Sequence, residues 1–156
     1  MIALLWMHSL LRWAILLFLI RNISNHFLEK DKPYSPNDKK WSLRLLIVTH
    51  LNFVVGLLQY FFGEKGFAYF KNNDAKTVMK TPALRFWAVE HITGMLLAVI
   101  FITVAHSLVK KYTITHNSKH NRVLLFCVLA LVFILAVIPW PFREMFNGTP
   151  WIRGLY

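Results

Sequence analysis

The sequence predicts an all-α, polytopic membrane protein, a four-transmembrane-helix bundle formed as a single domain over residues 1–156. Three observations carry that reading. Hydrophobic residues make up 56% of the 156 and only 16% are charged, which raises mean hydropathy to +0.46, well above the range of soluble globular domains. The apolar residues are gathered into four blocks separated by short polar stretches, instead of alternating between a buried and a wetted face. Each block is long enough to cross a hydrocarbon core of ~30 Å at a rise of ~1.5 Å per residue. Disorder is ruled out on the same grounds, and a soluble enzyme is not expected.

The helices are expected at about residues 2–20, 43–62, 83–109 and 123–140. No basic stretch precedes the first and no small-residue cleavage pattern follows it, so a cleaved signal peptide is not expected. A loop with Glu29, Lys30, Asp31, Lys32, Pro33 and Pro36 separates the first two. Pro82 sets the start of the third, a polar run from Lys110 to Arg122 ends it, and Pro139 and Pro141 stop the fourth. Residues 141–156, with Trp151, Arg153 and Tyr156, suit the headgroup layer and read as an interfacial anchor. Asn147-Gly148-Thr149 within it matches a glycosylation acceptor.

The formal charge is +11, but the Lys and Arg residues flank apolar blocks instead of forming one basic face. That pattern points to the lipid bilayer as partner, not to nucleic acid. Ten of the 18 basic residues fall beside the first and third loops and seven beside the second loop and the tail. The positive-inside rule then puts both termini outside, with a prokaryotic inner membrane as the expected location. The single cysteine, Cys127, lies within an apolar block and rules out an intramolecular disulfide.

Four of the seven histidines lie inside the apolar blocks: His8, His50, His91 and His106. Ionisable residues in a span are costly unless they face the bundle interior with a partner, so each is a functional candidate beside the simpler reading of an interhelical hydrogen bond. Counting from the ends of the spans, His8 and His91 both lie ~9–12 Å below the outer surface and are expected at one level. His50 and His106 are expected level with each other near the opposite surface. His91 and His106, fifteen residues apart, are separated by ~22 Å along the helix and only ~60° around it. Met95, Ala98 and Gly94 lie between them, where small residues would admit a flat macrocycle or simply pack against a neighbouring helix.

Pairs of imidazoles in a dry bundle suit haem iron, because the porphyrin fills the equatorial positions and the protein need supply only two axial ligands. Two imidazoles per layer are too few for a structural zinc site. Copper is the alternative, with Met7 and Met95 near His8 and His91 as thioether donors.

On His8, His50, His91 and His106, with the fifteen-residue interval in the third helix, the chain resembles the small membrane-embedded cytochromes b of the di-haem four-helix type. The resemblance is architectural and spans all four helices. It departs from the better-known members, which often use two histidines on each of two helices, whereas here the third helix carries two and the first and second one each. The resemblance implies haem b, two groups or one, in a membrane electron-transfer protein. Such a chain serves alone or as the membrane anchor of a respiratory or quinone-linked complex, with quinone and other redox subunits as partners. A non-redox membrane interaction subunit and a copper-handling protein are the competing classes.

Arg12 lies one turn after His8, and Glu90 adjoins His91 at a similar depth. An Arg12–Glu90 ion pair is expected, with a haem propionate contact for Arg12 and proton coupling for Glu90 as the functional readings. His26, His116 and His120 are expected in solvated loops, and Asn52, Gln59 and Tyr60 in interhelical or interfacial hydrogen bonds, with the lining of a quinone pocket as the alternative that no motif marks.

Overall fold

The computed structural model describes residues 2–110, 115–146 and 151. Four helices long and apolar enough to cross a membrane form the bundle. They are α1 (Ile2–Leu28), α2 (Pro36–Phe62), α6 (His91–Val109) and α7 (His116–Val137). Between α2 and α6 lie three short helices, α3 (Phe67–Asn72), α4 (Ala75–Lys80) and α5 (Pro82–Arg85), and one π-helical turn over Phe86–Glu90. Helix α1 packs on α2 and α7, and α6 packs on the same two, so α1 and α6 stand at opposite corners of a square. Leu17, Ile47, Val54 and Val132, each more than half exposed, face outward from all but α6, and a bilayer is the environment that covers such a belt.

The bundle has two unlike halves. Toward the end that carries Leu28, Pro36, Val109 and His116, here the far end, the interior is filled by Leu19, Leu45, Ile102, Val109, Val123 and Cys127. Toward the N-terminal end the helices separate around a cavity. Most of the expected anchor, including Asn147-Gly148-Thr149, lies outside the described residues, as does 111–114 of the polar run before α7.

Helices α1, α2 and α7 all extend further toward the far end than their apolar blocks, and the reason is local polar chemistry. Helix α2 starts at Pro36 because Ser35 caps it: the Ser35 hydroxyl accepts from the Asp38 N–H, and Asp38 Oδ2 accepts from the Ser35 N–H at 2.8 Å. Asp38 is buried and also accepts from Asn25 Nδ2 at 2.6 Å, which ties the cap to the extended end of α1. Asn22 donates to the Phe18 carbonyl at 2.7 Å.

His26, His116 and His120 are therefore helical, which corrects their placement in loops. The rings of His26 and His120 are buried and joined Nδ1 to Nδ1 at 2.9 Å. Tyr34 stacks on His26 with centroids 5.5 Å apart and 19° between planes, and its backbone N–H donates to His116 Nδ1 at 3.2 Å. Hydropathy reads this segment as solvated, but most of its polar groups pair with one another, His120 Nε2 being the exception among the described residues.

Burial first, then the Asp38 carboxylate and the Cys127 thiol, raise the Tyr34 phenol above its ordinary 10.0. The folded chain then keeps a proton that the unfolded chain loses, so this contribution to stability is whole below that value and falls as pH rises past it. Tyr34→Phe is expected to flatten the alkaline limb of the stability profile. Thermal unfolding in detergent from about pH 8 to 11 measures it, and an equally steep limb in the variant would deny Tyr34 the role.

Candidate cofactor site

The π-helical turn sets the site. Its extra residue makes the His91 N–H bond to the Phe86 carbonyl, five residues back, and rotates α6 by about 100° relative to α5. Tyr60 on α2 donates its hydroxyl to the Ala88 carbonyl in this turn at 3.0 Å. His91 is thereby bracketed by Phe86 and Trp87, with ring centroids at 5.9 and 5.7 Å.

The His91 Nδ1 lies 2.8 Å from the Val137 carbonyl oxygen. A carbonyl only accepts, so Nδ1 carries the proton and Nε2 keeps its lone pair. Val137 ends α7, and the last four carbonyls of a helix lack partners within it. Here all four are taken: Ile134 by the Ile138 N–H, Leu135 by Trp140 Nε1, Ala136 by Arg143 Nη2 and Val137 by His91. The negative end of the α7 dipole thus sits on His91 Nδ1 and fixes the tautomer and orientation of the ring, as outer-shell carbonyls do for ligating histidines.

Across the square diagonal, His8 on α1 faces His91, with ring centroids 6.4 Å apart and planes at 67°. An ion bound at ~2.0–2.1 Å from one nitrogen of each imidazole sets the centroids about 6 Å apart. Gly56 on α2 makes room for His8: a Cβ there would lie 3.2 Å from His8 Cε1. Gln59 Nε2 donates to the Leu4 carbonyl at 2.8 Å and holds α2 against α1 one turn away.

His8 and His91 open onto a cavity of about 570 Å³, within the range of ~300–1,000 Å³ usual for cofactor sites. Its wall is mostly apolar, with Leu5, Phe53, Ile92, Met95 and Ala98 among the lining residues. Among the described residues no three His, Cys, Asp or Glu side chains gather to hold a bare metal ion. Two imidazoles over an apolar slot suit a ligand that brings its own equatorial donors better than a bare ion.

The other expected site residues take separate places. His50 is exposed; its Nδ1 donates to the Leu46 carbonyl at 2.9 Å, and Thr103 Oγ1 lies 3.5 Å from its Nε2. His106 is buried against Ser42, Nδ1 to Oγ 3.0 Å. No ring contact joins the two among the described residues. Gly94 does not face the cavity, for a Cβ there would lie 2.5 Å from Val137 Cγ1; it serves α6–α7 packing, and Gly56 is the glycine that lies against His8. Met95 lines the cavity while Met7 does not.

Glu90 corrects the expected ion pair. It pairs with Arg85, Nε to Oε1 2.6 Å, not with Arg12. The phase change of the π turn brings Arg85, five residues earlier, alongside it. Arg12 lines the cavity, donates from Nη2 to the Trp151 carbonyl and lies 5.4 Å over the Trp13 ring. The Glu90–Arg85 pair is more than a third exposed on both sides, and exposed pairs contribute ~0–1 kcal/mol. Glu90→Gln is expected to shift stability by less than about 1 kcal/mol. A large loss in chemical unfolding, rescued by Arg12→Gln, would restore the earlier pairing.

Comparison of the chain with protein-family models, with curated proteins and with solved structures finds no match.

Proposed function

We propose that the chain is a b-type haem-binding membrane protein that carries electrons, with one haem held between His8 and His91. The observation that carries this reading is the imidazole pair itself: two rings 6.4 Å apart across the bundle diagonal, one with its Nδ1 proton committed to a helix-end carbonyl. The bound haem supplies a reversible one-electron iron centre. The chain's own residues do the rest. Val137 orients His91, Gly56 admits His8, and a mostly apolar wall lines the site.

The second pair of histidines expected near the far end does not share a partner, so the proposal is for one haem, near the membrane surface at the N-terminal end. By the distribution of Lys and Arg that surface is the outer one, and the electron donor or acceptor is a membrane redox subunit or a quinone. Copper is the second reading, and the Met95 thioether beside the two imidazoles is what favours it.

The test is an optical spectrum of the protein purified from membranes, oxidised and dithionite-reduced, with metal analysis alongside. The sharp reduced bands of bis-histidine haem, with iron at one per chain, are the expected result. Copper in place of iron selects the second reading. A protein that neither retains haem nor takes it up on reconstitution is not a cytochrome.

A further inference from the structure

The cavity extends past the two histidines toward the core, and its inner end mixes apolar and polar lining. Thr49 and Asn52 on α2 line it there, and Arg12 of α1, which also donates to the Trp151 carbonyl, is among its lining residues. Thr49 and Asn52 are only 4% and 7% exposed, yet Thr49 Oγ1 and Asn52 Oδ1 have no hydrogen-bond partner among the described residues. Other span hydroxyls find partners: Thr103 Oγ1 donates to the Val99 carbonyl at 2.7 Å, Ser107 Oγ to the Thr103 carbonyl at 2.9 Å, and Ser42 Oγ meets His106 Nδ1 at 3.0 Å. Thr49 does not. A buried polar group left unpaired costs ~1–3 kcal/mol, and two side by side at the end of one cavity mark a place where a ligand supplies the partner.

The sequence position fixes their depth. Gly56 marks the level of His8, and Asn52 and Thr49 lie four and seven residues further along α2, or ~6 and ~10 Å at ~1.5 Å per residue. That is the span from the centre of a porphyrin to its carboxylate arms. Thr49 offers an O–H donor, Arg12 a guanidinium, and the Asn52 amide its NH2 after a half-turn of the terminal group. A cation with two neutral donors in an apolar surrounding selects an acidic oxygen group.

We infer that Arg12, Thr49 and Asn52 form a seat for the carboxylates of the cofactor, so that haem lies with its acidic edge toward the middle of the membrane instead of the near surface. The inference rests on the His8–His91 reading. It assigns Thr49 and Asn52 a ligand that hydropathy gives no hint of, because each alone is an ordinary helix residue.

The experiment titrates the purified full-length chain, freed of ligand, with haem and separately with its dimethyl ester, which keeps the iron and loses both carboxylates. The unaltered protein is expected to prefer haem by about ten-fold or more, as charge-assisted hydrogen bonds require. The double variant Thr49→Val with Asn52→Leu is expected to lose most of that preference while its ligand-free form melts no lower, since the unpaired groups are gone. Equal binding of both porphyrins by the unaltered protein overturns the seat and leaves the axial pair standing. A preference retained in full by the double variant overturns the part assigned to Thr49 and Asn52. Binding of neither porphyrin overturns the axial pair and the seat together.

Discussion

Replacing His91 with alanine is expected to abolish haem binding. Changes one shell away from a metal typically lower affinity by ~10–100-fold, so loss of the ligand itself is expected to exceed about 100-fold. His8→Ala is expected to do the same, because the remaining imidazole cannot close a six-coordinate iron alone. His50 is exposed and bonded to its own helix, and His106 is bonded to Ser42. His50→Ala and His106→Ala are therefore expected to leave both haem content and the reduced spectrum unchanged. Haem content per chain, measured on the four purified variants, decides this. Loss of haem in His50→Ala with retention in His8→Ala would move the site to α2, and retention in His91→Ala would remove it altogether.

The four spans were legible because hydropathy is a property of blocks, and 18 or more apolar residues have few other uses. The common level of His8 and His91 was legible too, since rise per residue is constant and both were counted from the same membrane surface. Phase around the helix was less so. The π turn at Phe86–Glu90 adds a residue to one turn, and no composition signal marks it, so Glu90 was assigned to Arg12 when the shifted phase gives it Arg85. The far end was misread for a different reason. Hydropathy counts His26, Tyr34 and His120 as wet, whereas stacking and the Nδ1–Nδ1 bond bury the two histidines and half-bury Tyr34. Capping chemistry offered a usable signal there: Ser35-Pro36 followed by Asp38 announces a helix start seven residues before the apolar block begins. Which small residue faces the cavity depends on which corner of the square each helix occupies, and helix order around a bundle is not written in any one helix. That is why Gly94, between the two histidines of α6, drew attention that belongs to Gly56 on α2.

Gly94→Ala is expected to damage both the fold and the site, through one contact. The added Cβ would lie 2.5 Å from Val137 Cγ1 and 3.1 Å from Cγ2, closer than a packed interface admits, so α6 and α7 must part or Val137 must leave its rotamer. Overpacking of this kind costs ~1–3 kcal/mol, against which the helix propensity of alanine returns up to ~1 kcal/mol. The same residue, Val137, supplies the carbonyl that holds His91 Nδ1 at 2.8 Å. Parting the helices lengthens that bond and lets the imidazole turn, and loss of such an orienting partner lowers metal affinity by ~10–100-fold. Val137→Ala removes both γ carbons and leaves the carbonyl in place, so the double variant is expected to recover haem affinity and stability together. Thermal unfolding and haem titration of the two single variants and the double variant form a cycle with a non-zero coupling as its expected outcome. Purely additive effects would mean that Gly94 and Val137 act apart, and that the closeness of α6 to α7 is not what aims His91 at the cavity.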